Sequence, residues 1–350
     1  MLPFRTILVA ADFSQSSREA FRVACCLALR EEARLLVLYV VEPLHVAPEP
    51  VYFGQQSISF SPVGRPSEFY AVLKKSLKHF YALNDSIKIE FLTRDGEPAK
   101  EILRLSEEVR CDLIVMGTHG RTGLDRVLTG SIAEKVVRMA GCPVLTQRFH
   151  RFTATAGAQS PGRSSLVDEI GIGIGGDLIS NAEVENEPAP TPIRCILHPT
   201  DFSAGARVAF AVARSLASQQ HARLVLLHVI PNESASIEVP PQLVDRQPFQ
   251  VALETMRSSV VGPDPKSTVE TALRDGAPVS EILRMASEVQ CDLIVMGTHG
   301  RSGLERLFMG SVAEQVLRLS TSPVLTVKSA HAVADYQNDH MKSAHTGMDS

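Results

Sequence analysis

The sequence predicts an α/β chain of two tandem doubly wound domains, Rossmann-like or flavodoxin-like, each with a five-stranded parallel sheet flanked by helices. Three observations predict it. The chain has 350 residues, and at roughly 100–200 residues per domain that length suits two cores. It also repeats itself. Residues 94–121 (RDGEPAKEILRLSEEVRCDLIVMGTHGR) and 274–301 (RDGAPVSEILRMASEVQCDLIVMGTHGR) are identical at 21 of 28 positions. The openings match as well, ILVAADFS from Ile7 and ILHPTDFS from Ile196. A period this long marks duplicated domains, not a solenoid of short units. Finally, short apolar runs alternate with helical periodicity in each copy. The Leu, Ile and Val runs lack polar alternation, as in strands covered on both faces.

In the first copy a strand is expected over 6–10, and Asp12 and Ser14 after it give a turn-and-cap signal. Ala20, Phe21, Ala24, Leu27 and Ala28 then recur at helical spacing across 16–31. A continuous apolar run predicts a strand over 35–41, followed by a helix over 68–83 and a strand over 87–93. Pro98 suits the first turn of a helix over 99–109. Strand 113–116, helix 131–139 and strand 144–146 complete the copy. The second copy reads as strand 194–198, helix 204–218, strand 224–230, helix 243–261, strand 268–273, helix 279–289, strand 293–296, helix 312–319 and strand 324–327. The offset between copies is 189 residues at the openings and 180 at the later block, so the first copy carries nine extra residues. They are placed in 43–66, rich in Pro, Ser and Gly and read as a surface loop.

The domains are therefore expected at 1–148 and 192–329. A flexible linker at 149–191, rich in Gly, Ser, Ala and Pro, separates them, and a polar tail occupies 330–350. The linker contains Gly171-x-Gly173-x2-Gly176. This matches a dinucleotide fingerprint by letters but lacks the preceding buried strand and the following crossover helix, so it is read as linker.

Hydrophobic residues make up 44% and charged residues 21% of the chain, the usage of a soluble globular protein. Thirty-five basic against 39 acidic side chains give a net charge of −4, which offers no bulk electrostatic case for a nucleic-acid partner. No run approaches the ~18–20 apolar residues of a membrane span. The first residues lack the order of a signal peptide. A cytoplasmic protein is expected. Its six cysteines, Cys25, Cys26, Cys111, Cys142, Cys195 and Cys291, include no C-x-x-C pair and read as reduced core residues.

The chemistry-bearing pattern follows the fourth strand. Gly117-x2-Gly120-x9-Gly130-Ser131 recurs as Gly297-x2-Gly300-x9-Gly310-Ser311. It begins at a strand's carboxyl end and finishes at a helix N-terminus. Glycines there let backbone N–H groups approach an anion, and the helix N-terminus adds positive potential. Ser131 and Ser311 can cap the helix or donate a hydroxyl to phosphate. Arg121 and Arg301 can neutralise phosphate charge. Arg126 and Arg306 read as surface residues. The competing account is a glycine-bearing turn with a plain serine cap. Asp12 and Asp201, at the end of each first strand, suit ribose hydroxyls or an adenine amine, or else helix capping. His119 and His299 read as locally hydrogen-bonded loop residues, and no metal site is expected.

These residues resemble the universal stress protein family in its tandem form. The resemblance rests on G-x2-G-x9-G-S in both copies, Asp12-Phe13-Ser14 and Asp201-Phe202-Ser203, MGTHGR twice, and GSIAEKVVRMAGCPVLT beside GSVAEQVLRLSTSPVLT. Copy two keeps the family's Pro-Thr-Asp as Pro199-Thr200-Asp201, whereas copy one has Ala10-Ala11-Asp12. The resemblance implies an adenine nucleotide ligand, ATP alone or with Mg2+. Asp12 and Val40, and Asp201 and Val229, would hold the adenosine end. The glycines and serines would hold the phosphates. It also implies pairing of the last strands, giving an intramolecular pseudo-dimer and a possible route to a homodimer, and a regulatory or protective role in the stress response through nucleotide-dependent conformation or an unidentified protein partner.

No Walker lysine, nucleophile elbow, Ser/His/Asp order or kinase catalytic loop is visible, and no catalytic residue is assigned. Holding ATP is favoured over turning it over. A slow ATPase or autophosphorylating enzyme of the adenine-nucleotide α-hydrolase superfamily stays open as an alternative. So does a nucleotide-independent scaffold.

Overall fold

The computed structural model describes residues 4–42, 51–53, 56–58, 71, 74–75, 87–118, 130–148, 192–231, 245–259, 268–298 and 309–328. The first half runs β1 Thr6–Ala11, α1 Gln15–Glu31, β2 Arg34–Val41, β3 Val51–Phe53, β4 Gln56–Ile58, β5 Ile89–Asp95, α2 Pro98–Glu108, β6 Leu113–Gly117, α3 Ser131–Met139 and β7 Val144–Gln147. The second runs β8 Cys195–Pro199, α4 Ala204–Gln220, β9 Arg223–Ile230, α5 Gln247–Ser258, β10 Val269–Asp275, α6 Pro278–Glu288, β11 Leu293–Gly297, α7 Ser311–Leu319 and β12 Val324–Val327.

Local chemistry sets the starts of these helices. The Ser14 hydroxyl accepts from Ser17 N and the Ser203 hydroxyl from Ala206 N, each at 3.2 Å, capping α1 and α4. Pro98 and Pro278 open α2 and α6, where a missing N–H costs no intrahelical bond. Asp245 Oδ1 accepts from Gln247 N at 2.9 Å, so α5 starts at 247 and not at the expected 243.

Ten strands form one sheet in the order β10-β9-β8-β11-β12-β7-β6-β1-β2-β5. Pairing is parallel within each half. Numbered within its own five-stranded half, each order is 3-2-1-4-5, the Rossmann order without its sixth strand, as distinct from the flavodoxin order 2-1-3-4-5. The two halves meet antiparallel at β7 and β12, with Leu145 opposite Leu325. Thr146 donates to the Val324 carbonyl at 3.3 Å and Thr326 to the Val144 carbonyl at 3.1 Å. This junction is consistent with the expected pseudo-dimer.

Ile7, Leu8 and Val9 are all fully buried, because helices cover both faces of the sheet. On the face under α1 and α4 the buried apolar residues form one cluster that runs through both halves, from Phe21 and Ile7 through Leu145 and Leu325 to Phe210. On the other face each half has its own cluster, and Leu317 of α7 and the half-buried Met309 of the second half also pack into that of the first.

The stretch 43–66 is a correction to the expected loop. Its described residues form a hairpin, with Val51 opposite Ile58 and Phe53 opposite Gln56. Val51, Tyr52, Phe53 and Ile58 are strong strand formers, which a reading of Pro, Ser and Gly content overlooked. Most of the helix expected over 68–83, all of 149–191 with Gly171, Gly173 and Gly176, and the tail 330–350 lie outside the described residues. Among the described residues no helix is long and apolar enough to cross a membrane.

Candidate functional site

The switch point of each half lies between its first and fourth strands, where successive connections leave in opposite directions. Ligands of doubly wound sheets bind beyond the carboxyl ends of the strands at such a point. Asp12 follows β1 there, and Gly117 ends β6. Asp201 and Gly297 occupy the same places in the second half.

Neither aspartate is the helix cap. Asp12 Oδ1 accepts from Ser14 N at 2.9 Å and Asp201 Oδ1 from Ser203 N at 3.0 Å, closing a tight turn that sets up the serine caps. The turn forces Phe13 to φ 62° and Phe202 to φ 63°, a left-handed conformation that costs a bulky residue about 1–2 kcal/mol. Ring packing helps hold it. Phe13 lies 5.2 Å from Tyr39 between ring centroids, and Phe202 lies 4.6 Å from His228. Both carboxylates stay half-buried at the sheet edge. The same strained corner, built twice, is the kind of feature that clusters at functional sites.

Val40 and Val229 are buried near the ends of β2 and β9. The register of β1 with β2 ends at Ala11 and Tyr39, so Val40 lies one residue beyond it. The register of β8 with β9 ends at Pro199 and Leu227, so Val229 lies two beyond.

The first motif glycine has a packing reason. A Cβ on Gly117 would lie 2.5 Å from Ser16 Oγ and 2.8 Å from Ser16 C and Ser17 N. On Gly297 it would lie 2.9 Å from Gly205 C and 3.0 Å from Gly205 O. These glycines let α1 and α4 sit directly against the end of the strand. The later glycine behaves differently. Gly130 N donates to the Thr118 carbonyl at 2.7 Å, and Gly310 N to the Thr298 carbonyl at 2.7 Å. Each bond ties the start of α3 or α7 to the residue just after β6 or β11.

Gly130 and Gly310 are the N-caps, and neither helix has a side-chain cap bond. Ser131 and Ser311 are therefore exposed first helical residues, and the plain serine cap does not occur. Among the described residues, the first-turn N–H groups of these two helices lack the side-chain acceptor that α1 and α4 possess. An exposed hydroxyl beside uncapped N–H groups suits an anionic oxygen. Gly120, Arg121, Gly300 and Arg301 lie outside the described residues, as do His119, His299, Arg126 and Arg306. Asp12, Val40, Gly117, Gly130 and Ser131 share the carboxyl edge of the first half-sheet, and Asp201, Val229, Gly297, Gly310 and Ser311 share that of the second.

Sequence reasoning missed the polar support under the second corner. Thr200 Oγ1 accepts from Phe202 N at 3.1 Å, and His228 Nδ1 donates to the Thr200 carbonyl at 2.7 Å. The His228 ring also stacks on Phe249 at 4.8 Å. His198 is fully buried, donates from Nδ1 to the Val295 carbonyl at 2.8 Å, and lies 5.7 Å from Phe210 between ring centroids. Among the described residues its Nε2 has no hydrogen-bond partner, and burial pulls its pKa down to about 4. At these three places the first copy has Ala11, Tyr39 and Val9. Aligning the two openings residue by residue would have exposed the exchange.

The Universal stress protein family model matches residues 3–148 and 192–328. The chain belongs to the universal stress protein family. A universal stress protein of Methanocaldococcus jannaschii is 34% identical over 142 residues, 41% of this chain and 81% of that one. Another from Thermus aquaticus is 34% identical over 145 residues, 41% of this chain and 99% of that one. Each such match spans one repeat's worth of sequence. Over nearly the whole chain the fold is similar to a universal stress protein structure from Archaeoglobus fulgidus, with TM-score 0.58, 18% identity, and coverage of 93% of this chain and 99% of that one. A putative universal stress protein from Pseudomonas aeruginosa gives TM-score 0.60, 18% identity, and coverage of 95% and 96%. The tandem universal stress protein architecture thus accounts for the repeat and the ten-stranded sheet together.

Proposed function

We propose that this universal stress protein binds ATP at the carboxyl edge of each half-sheet, and that occupancy biases its conformation or its choice of a protein partner during stress. The observation that carries this reading is the pair of uncapped helices. α3 and α7 are tethered by Gly130 N and Gly310 N to the ends of β6 and β11, and each presents first-turn N–H groups beside an exposed serine. Phosphate oxygens are the natural acceptors for such groups. In this reading Asp12 and Asp201 accept from the adenosine end, and Val40 and Val229 contribute backbone groups. Gly120, Arg121, Gly300 and Arg301 complete the phosphate cradle, and Mg2+ would accompany the phosphates. No side chain is given a catalytic role. A cytoplasmic setting fits thiols that are carried free.

A second reading has its own observation. Gly117 and Gly297 are needed for helix packing whether or not a ligand binds, as a nucleotide-independent scaffold requires. Thermal unfolding separates the two. A ligand that binds only the folded state stabilises it by about 2.7 kcal/mol at a hundred-fold excess over Kd. The midpoint of nucleotide-stripped protein should climb with ATP concentration, and Asp12→Ala with Asp201→Ala should blunt the climb. A midpoint indifferent to millimolar ATP would favour the scaffold.

A further inference from the structure

At the amino end of the sheet, away from the proposed nucleotide edge, Cys111 and Cys142 meet. Cys111 sits in the turn from α2 to β6 and Cys142 in the turn from α3 to β7. Their sulfurs are 3.5 Å apart. Cys111 is buried and Cys142 is half-buried. The neighbouring strands hold the two turns together. Cys111 N donates to the Ser106 carbonyl at 2.9 Å, and Ile114 N donates to the Pro143 carbonyl at 3.1 Å.

The surroundings divide the roles of the two sulfurs. Cys111 is held as a thiol, its pKa pushed far up by its hydrogen bond to Cys142, by burial and by the neighbouring Asp112 carboxylate. A cation of the other half reaches the turn that carries Cys142. Lys328 donates to the carbonyl oxygens of Arg138 and Ala140, just before Cys142 in sequence; burial pulls its pKa down, and Cys142 acts in the opposite direction. A nearby cation and partial exposure are the conditions under which a cysteine becomes reactive. The second repeat lacks the pair. Cys291 stands where Cys111 does, but Ser322 replaces Cys142 and donates instead to the Cys291 carbonyl at 2.8 Å.

We infer that Cys111 and Cys142 are a dithiol redox site, unique to the first repeat, that a hydroperoxide converts to an intramolecular disulfide. The Cys142 sulfur attacks one peroxide oxygen and gives up its proton. The O–O bond breaks, the departing oxygen takes up that proton and leaves as an alcohol or water, and Cys142 becomes a sulfenic acid. The Cys111 sulfur then attacks the Cys142 sulfur. The S–O bond breaks, and the departing hydroxide takes the Cys111 proton as water. Two thiols are oxidised to one disulfide, and one peroxide is reduced. The sulfurs must close from 3.5 Å to about 2.0 Å. Cys142 lies in a bend between elements, where such a movement requires no strand to shift.

The test uses the full-length native chain treated with hydrogen peroxide, then denatured, blocked with maleimide and digested. The expected result is two fewer free thiols than the six of untreated protein, a Cys111–Cys142 linked peptide lighter by two hydrogens, and recovery of all thiols with reductant. Cys142→Ser places in the first repeat the residue that the second already carries. It should fold normally and yield no linked peptide. Lys328→Met should slow formation of the link in otherwise folded protein. Linkage of other cysteines under native conditions, or Cys142 oxidised beyond sulfenic acid with Cys111 still free, would overturn the inference. So would no loss of thiols in peroxide.

Discussion

The Lys328 ammonium of the second half lies 3.0 Å from the Ala140 carbonyl oxygen of the first. The contact has a counterpart across the β7–β12 junction, where the Arg148 guanidinium donates to the Arg318 carbonyl at 2.5 Å. Each half thus uses the cation after its last strand to satisfy carbonyls at the end of the other half's last helix, where the helix dipole is negative. Removing both cations should loosen the junction. Lys328→Met with Arg148→Met is expected to cost about 1–3 kcal/mol, read as a lower urea midpoint and earlier separation of the two halves in hydrogen exchange. An unchanged midpoint would mean that the strand pairing alone holds the junction.

Gly117→Ala is expected to destabilise the protein without any ligand, because its Cβ would meet Ser16 backbone at 2.8 Å. Overpacking of this kind costs about 1–3 kcal/mol. Gly297→Ala should cost less, since its nearest backbone neighbour is Gly205 at 2.9 Å, which has no side chain of its own to displace. Equilibrium unfolding of the two variants gives the comparison directly. Wild-type stability for Gly117→Ala would remove the packing explanation.

Much of this was legible in the sequence, for identifiable reasons. Unbroken apolar runs located the strands because both faces of the sheet are covered. The recurrence of MGTHGR and of Gly130-Ser131 as Gly310-Ser311 located the candidate edge because a duplicated chain repeats its corners. Three things were not legible. The packing role of Gly117 depends on how closely α1 crosses β6, which no spacing reveals. The hairpin around Val51 and Ile58 was hidden by the Pro, Ser and Gly around it. The histidine-supported corner of the second half came from single exchanges, Ala11 to Thr200 and Tyr39 to His228, that a motif search passes over.

His198 makes stability depend on acid. Its folded pKa is about 4, against roughly 6.5 unfolded. Between those values the unfolded chain binds the proton and the folded one does not, so folding stability rises with pH there. The contribution is fully present above about 6.5 and is lost as pH falls towards 4, at a slope of about 1.4 kcal/mol per pH unit. His198→Val, which copies Val9 of the first half, should flatten the wild-type dependence across that window. Identical pH profiles for the two proteins would show that the buried ring does not titrate this way.

The second corner should be the better organised of the two. Thr200→Ala removes the hydroxyl that accepts from Phe202 N and gives the second half the residue found at Ala11. The expected loss is about 1 kcal/mol, with faster amide exchange at Phe202 and Ser203. Unaltered exchange would mean that the Asp201 turn and the Phe202 ring hold the corner by themselves.

Calorimetric titration of nucleotide-stripped protein with Mg-ATP tests most directly whether the duplicated sheet edge is the proposed duplicated ATP site. Saturable binding near two molecules per chain is predicted, falling to one when Asp201→Ala disables the second half. No heat of binding up to millimolar ATP would contradict the proposal.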